Sequence, residues 1–303
     1  MLRIFSRSRS QFAVLVLIAG LSLSVSACTQ ESAESPSGSG VTVNVDTPAA
    51  LTDSLVTPGV LTIAVFDDSA PSAFYAEDGR LVGWEVELAK SIAQLNGLEA
   101  EFVGGSFDSV LDAVTEGTAD IGIASMFDTT ERQKRAAFVN YFIGGTGWAL
   151  SVDSQIKSSN PCGSRVGAVV DSAQYSDYLV RVSNKCTREG LEPLTIVGYK
   201  SLSDAATDIE TGQLDALVGD DPVVTYLAGN SFGRIVIADT AIEPQPYGIA
   251  VPLGNRIVRE SVLEALQEMS SDQTYRNILG RWGVESGSVN QFTINNANAT
   301  STR

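Results

Sequence analysis

Histidine is absent from all 303 residues. An imidazole general base, a Ser-His-Asp triad and the usual histidine-containing zinc sites are therefore excluded, and with them much of hydrolase chemistry. Basic residues are scarce: 20 Lys and Arg stand against 36 Asp and Glu, for a formal charge of −16. A field of that sign repels phosphate backbones, so nucleic acid is not an expected partner; it favours solubility and carries no information about fold. No segment after the first 27 residues approaches the roughly 20 apolar residues that a spanning helix needs. Hydrophobic residues nonetheless make up 44% of the chain and charged residues 18%, which is enough for a sizeable core and excludes disordered, collagen-like and coiled-coil classes.

The start of the chain carries Arg3, Arg7 and Arg9 and no acid, then an apolar run from Phe12 to Leu23 that is too short and too rich in serine for a comfortable span. Residues 1–27 read as a secretory signal that is removed. The run ends in Ser24-Val25-Ser26-Ala27-Cys28, which resembles the bacterial lipoprotein processing box, in which the cysteine is acylated (palmitate being one such chain) and becomes residue one. Ser24 stands where leucine is usual, with Leu23 beside it; ordinary signal cleavage leaving Cys28 as a spare thiol is the alternative. Acylation would tether the protein to the cell membrane, facing outside the cytoplasm, without spanning it. Residues 28–58, rich in Ser, Gly, Pro, Thr and acids, read as a flexible linker with a reach of about 30 Å.

Two further cysteines, Cys162 and Cys186, lie 24 positions apart. In an exported chain they are expected to form one disulfide. Two free thiols or half a metal site is the alternative, and no histidine or third mature cysteine exists to complete such a site. The tail from Ser286 to Arg303 is polar and reads as disordered. What remains, about 226 residues, is long for one compact domain and natural for two.

Strands and helices alternate through this body. Leu61 to Phe66 reads as a buried strand; Trp84, Leu88, Ile92 and Leu95 recur at helical spacing up to Asn96-Gly97. Glu101 to Val103 is a strand, Asp108 to Glu116 a helix, and Asp120 to Ser125 a strand again. A second series starts after Trp148, with strands at Arg165 to Val170, Leu194 to Tyr199 and Leu214 to Gly219. Helices are expected at Ala173 to Ser183, at Ser203 to Glu210 and from Pro222. A strand at Tyr247 to Val251 and helices at Ile257 to Ser270 and Thr274 to Trp282 complete it. The pattern is α/β with parallel strands, and two such units suggest a cleft between them.

Three strings are specific enough to name a family: Leu81-Val-Gly-Trp-Glu-Val-Glu-Leu-Ala-Lys90, Thr129-Thr-Glu-Arg132, and Gly212-Gln-Leu-Asp-Ala-Leu-Val-Gly-Asp-Asp-Pro222. In this order and at these separations the chain resembles the family 3 solute-binding proteins of amino-acid ABC importers, from Gly59 to Glu285. The resemblance implies a two-lobed, periplasmic-binding-protein-like (type II) Venus-flytrap fold. Lobe 1 would hold residues 59–147 plus 249–284 and lobe 2 residues 148–248, with hinges near Gly147-Trp148 and Tyr247-Gly248 and a disordered tail at 285–303. It implies a lipid-anchored monomer, without cofactor or metal, that captures a small polar amino acid or close analogue and delivers it to an ABC permease and ATPase complex. Two other readings remain. Cyclohexadienyl dehydratases look similar in fold, and would need a general acid beside the leaving hydroxyl, which without histidine only a cleft carboxyl or lysine could supply. A ligand-sensing module for a membrane signalling partner is the third.

Arg132 is the leading candidate for the site. Thr129, or Asp128 before it, reads as an N-cap, which places a cation in the first turn of a helix, against the positive end of the dipole. Such a guanidinium wants an anion, and its fork suits a carboxylate; the resemblance assigns it the ligand's α-carboxylate. Asp220 follows a strand at its carboxyl end, where open α/β sheets place ligands. Pro222 makes Asp221 the expected N-cap, which frees Asp220 to receive the ligand's α-ammonium, as the resemblance implies. By the same resemblance Ser172 offers a hydroxyl and N–H for carboxylate oxygens, although an N-cap serine explains it equally well. Ser125 stands where a backbone N–H reaches the ligand, and Phe107 where an aromatic packs on its hydrocarbon part. Many members carry an aromatic where this chain has Ser69 and near Ser72, and Ser or Thr where it has Phe127. The aromatic lid is thus expected to be rebuilt by Phe127 with Phe74 or Tyr75. Glu85, Glu87 and Glu131 read as a solvated acidic face.

Overall fold

A computed structural model describes residues 48–297. The signal segment, Cys28 and residues 28–47 of the expected linker lie outside the described residues. The last residues of that linker are not free: a short helix, α1 (Ala49–Thr52), buries Leu51, Leu55 follows it into the core, and the Val56 N–H donates to Asp120 Oδ1 at 2.7 Å.

The first α/β series follows. Strand β1 (Val60–Phe66) is buried along almost its whole length. A small antiparallel sheet, β2 (Asp68–Ser69), β3 (Ala73–Tyr75) and β4 (Leu81–Val82), leads into α2 (Trp84–Leu95). Gly83 starts this helix at φ 137°, with Ser72 O so near that a Cβ would lie 2.0 Å from it, so only glycine fits there. Then come β5 (Glu99–Gly105), α3 (Phe107–Thr115) and β6 (Ile121–Ile123). Strands β5 and β6 pair parallel to either side of β1, as the alternating pattern requires.

The second series is built alike. After β7 (Ala136–Ser151) come β8 (Arg165–Val169) and a π turn (Gln174–Tyr178) running into α4 (Leu179–Arg188). Next are β9 (Thr195–Tyr199), α5 (Leu202–Glu210), β10 (Ala216–Asp220) and α6 (Asp221–Asn230). Strands β10, β8 and β9 lie side by side and parallel. Cys162 and Cys186 are bonded as a disulfide, which ties the approach to β8 to α4.

The sequence pattern understated two strands. β7 has 16 residues, and β11 (Ile235–Pro252) has 18 where only Tyr247 to Val251 was expected. They pair antiparallel from Ala136↔Pro252 to Ser151↔Ile235 and join the two parallel groups into one sheet, in the order β5-β1-β6-β11-β7-β10-β8-β9. The chain closes with α7 (Arg256–Ser271) and α8 (Thr274–Trp282). Residues 285–297, expected to be disordered, are instead packed: Phe292 is 7% exposed, and β12 (Thr293–Ile294) pairs with β7. Among the described residues no helix is long and apolar enough to cross a membrane.

Candidate functional site

Two pairs of parallel strands, β1 with β6 and β8 with β10, running in opposite directions across the β7–β11 ribbon, end toward one small cavity of about 30 Å³. Carboxyl ends of parallel strands are where α/β sheets expose backbone and loop groups to a ligand. All six residues named from the sequence, Phe107, Ser125, Phe127, Arg132, Ser172 and Asp220, line this cavity. Such a volume holds about two water molecules, so anything larger enters only if the walls part.

Arg132 is half-buried and starts a single 3₁₀ turn (Arg132–Lys134), shorter than the helix expected, so a helix dipole contributes little. Thr129 caps the turn by accepting the Arg132 N–H at 3.2 Å. The guanidinium donates to Phe127 O at 2.9 Å and lies over the Phe107 ring, 5.2 Å from its centroid. Among the described residues no carboxylate pairs with it directly. Burial pulls it down to about 10, against the push of the Asp220 charge. Its remaining donors are free for a planar anion.

Asp220 ends β10 and is itself the backbone N-cap of α6, one residue earlier than the expected Asp221, yet its side chain makes no cap bond. One carboxyl oxygen instead accepts from Gln174 Nε2 at 2.9 Å. Burial pushes this carboxyl up to about 7, aided by Asp221 and Glu85, while Gln174 and Tyr247 hold it back. An ammonium placed beside it would restore its charge. Ser172 does cap: its Oγ accepts the Tyr175 N–H at 3.1 Å, and its own N–H donates to Val169 O at 3.2 Å. Only its hydroxyl hydrogen remains for the cavity.

The acidic face expected at Glu85 does not exist. Glu85 is 0% exposed, and its Oε1 accepts the Ser125 N–H at 2.7 Å, the Ser125 hydroxyl at 3.0 Å and the Tyr141 hydroxyl. The Ser125 N–H, held at φ 47°, is thus committed to Glu85 and not to the cavity. Burial pushes Glu85 up to about 7, these three bonds pulling the other way; its Oε2 has no partner. The signal was present: Glu85, Leu88 and Ile92 stand at i, i+3 and i+7, one helix face. Glu87 by contrast bonds Arg281 and the Trp282 indole at 3.1 Å, and Glu131 pairs with Lys134 on the surface.

Phe127 lines the cavity and packs on Tyr247 with ring centroids 5.2 Å apart, but Phe74 and Tyr75 do not join it. Phe74 sits between Tyr226 and Trp282, and Tyr75 is exposed. The second aromatic is Phe66, edge-on to Phe107 at 6.0 Å. Sequence reasoning also missed Gln174 and Asp68. Asp68 lines the cavity too, its carboxyl raised by burial and by neighbouring Asp204 and Asp67 against a bond from Ser201. A carboxylate two residues beyond the end of a buried strand was its signal.

The family model of the bacterial extracellular solute-binding proteins, family 3, matches residues 61–285. The chain belongs to this family. It is 31% identical over 249 residues to the arginine-binding protein ArgT of Corynebacterium glutamicum, covering 82% of each chain. An ancestral arginine-binding protein bound to arginine superposes with a TM-score of 0.66 at 31% identity, over 74% of this chain and 98% of that one. The ancestral amino acid-binding protein AncCDT-1, a precursor of cyclohexadienyl dehydratase, superposes at 0.65 and 26% identity, over 76% and 98%. The mixed α/β fold is that of the type II periplasmic amino acid-binding proteins, and family 3 is extracytoplasmic and amino-acid binding, with an ABC transporter partner implied.

Proposed function

We propose that the protein captures an α-amino acid with a cationic side chain and delivers it to an ABC permease, tethered outside the cytoplasm by acylated Cys28. The observation that carries this reading is that Arg132 and Asp220, approaching from opposite halves of the sheet, line one cavity. Arg132 takes the carboxylate and Asp220 the ammonium. Asp68 adds a second carboxyl at the cavity wall, exposed on its outer side, which gives a cationic side chain a partner that the small polar one expected from the sequence would not use; the relative named arginine-binding supports this. Charge-assisted bonds contribute about 1.5–3 kcal/mol each, and four or five of them, less the cost of ordering, reach the roughly 8 kcal/mol of a micromolar complex.

Residues 59–147 with 249–284 form one lobe and residues 148–248 the other, opening about the β7–β11 ribbon. One of the four breaks in register along this ribbon, between Tyr247 and Gly248, falls at the hinge expected there. A thermal-shift screen of the twenty amino acids on the chain from Thr29 tests the ligand, because a 100-fold excess over Kd adds about 2.7 kcal/mol. L-arginine or L-lysine should shift Tm most, and Asp68→Asn should erode that preference. No shift with any amino acid sinks the reading. Cys28→Ser should release the protein from the membrane fraction.

One observation favours a second reading: a carboxyl held up at about 7 beside the cavity is a competent general acid. Turnover of prephenate or arogenate by the pure protein, followed by ultraviolet absorbance, would make it a dehydratase.

A further inference from the structure

Residues 286–297 lie outside the family match, and they form a strap laid on the body. Gly287 passes so close to Phe142 that a Cβ would sit 2.1 Å from the ring, and the Val289 N–H donates to Tyr275 Oη at 3.1 Å. Phe292 packs edge-on against Tyr275 at 5.3 Å. Strand β12 then places Thr293 opposite Asn140 and Ile294 opposite Val139. Asn295 donates its N–H to Phe138 O at 2.9 Å and accepts the Phe138 N–H on its side chain at 2.7 Å.

The strap converges on Asn140. Thr293 Oγ1 at 3.0 Å and the Asn296 N–H at 3.2 Å both donate to Asn140 Oδ1, which turns its amide nitrogen toward Asp128 Oδ2 at 2.9 Å. Asp128 is 0% exposed, accepts from Gln133 Nε2 at 2.7 Å on its other oxygen, and donates its N–H to Pro246 O at 2.9 Å. It stands between Phe127, whose carbonyl holds the guanidinium, and Thr129, whose hydroxyl caps Arg132. Between β6 and the 3₁₀ turn this loop is held to β11 only by an isolated bridge, Phe127 opposite Tyr247, with the Gly248 N–H donating to Met126 O at 2.9 Å. Beyond that bridge, its shape on the Asp128–Arg132 side depends in part on the donors that satisfy a buried carboxyl.

We propose that the strap at residues 292–297 is a positioning element of the ligand site: through Asn140 and Asp128 it fixes the aim of Arg132, so residues remote from the ligand set its affinity. This rests on Arg132 being the carboxylate anchor. A guanidinium on a loosened loop keeps its charge and loses the two-bond fork geometry.

The test uses the full chain carrying Thr293→Val or Asn295→Ala, alone and with Arg132→Lys, and L-arginine and agmatine as calorimetric probes. L-arginine affinity should fall about fivefold or more, agmatine affinity should hold, and the loss should shrink on the Arg132→Lys background, as for groups that act as a unit. Unchanged L-arginine affinity, or equal losses for both probes or in both backgrounds, overturns the proposal. Hydrogen exchange supplies a ligand-free arm: the Asp128 and Arg132 amides should exchange faster in the strap variants while those of α7 do not, and no change there overturns the strap's hold on the loop. A parent chain indifferent to L-arginine, or an affinity unmoved by Arg132→Lys, counts against the carboxylate anchor instead, and the exchange arm then judges the strap alone.

Discussion

Arg132 and Asp220 line the same cavity, and the aspartate's charge pushes up a guanidinium that burial pulls down. Neither is satisfied by the other, since among the described residues Arg132 has no direct carboxylate partner and the Asp220 carboxyl sits up at about 7. Each is poised for a charge the cavity itself does not supply. A zwitterion brings both, with the right signs at opposite ends, and so recovers part of the desolvation cost the empty site carries.

Arg132→Ala should weaken amino-acid binding about 30-fold or more, because truncating one partner of a buried charge pair costs about 2–5 kcal/mol. Isothermal calorimetry measures it. An affinity within a factor of a few of the parent protein would remove Arg132 from the site.

Asp220→Asn should cost amino acids more than their deaminated analogues, which have no ammonium to lose. A pH signature accompanies it. The empty site holds its proton up to about pH 7 and the ligand binds the ionised form, so affinity should rise as pH rises toward 7 and then level off. In Asp220→Asn that slope should vanish; a slope that persists assigns the proton elsewhere.

Removing the Cys162–Cys186 bond by a paired Cys→Ser change opens a loop of 24 residues, for about 3 kcal/mol in the chain-entropy model. At this chain length that lowers Tm by roughly 6–12 °C, measurable by calorimetric melting. Ligand affinity should stay put, because neither cysteine lines the cavity.

What was legible in the sequence was local. Parallel α/β units follow from periodicity and short connections, and candidates at strand ends fall around one cavity because such ends converge in this sheet. The long ribbon was not legible, because its pairing is non-local: Ala136 meets Pro252. Glycines at 144, 145 and 147 and prolines at 244 and 246 also give its middle the composition of a loop. The strap was missed for a related reason. Polar Asn and Thr read as tail until the groups they bond, the Asn140 Oδ1 acceptor and the Phe138 N–H donor, come from a strand more than 150 residues earlier.

Glu85 should govern part of the pH dependence of folding. Its carboxyl is raised from 4.5 to about 7 by burial, so between those values the folded protein keeps a proton that the unfolded chain has released. Its contribution is therefore fully present below about pH 4.5 and is lost as pH rises through 7, on the order of 3 kcal/mol in all. Glu85→Gln is neutral at every pH, can still accept the Ser125 N–H, and should flatten the Tm-against-pH curve across that window. Asp220, displaced in the same direction, leaves a residual slope. Thermal melts of the ligand-free protein decide it: parallel curves for parent and variant would mean that Glu85 ionises freely and that Ser125 is held by something else.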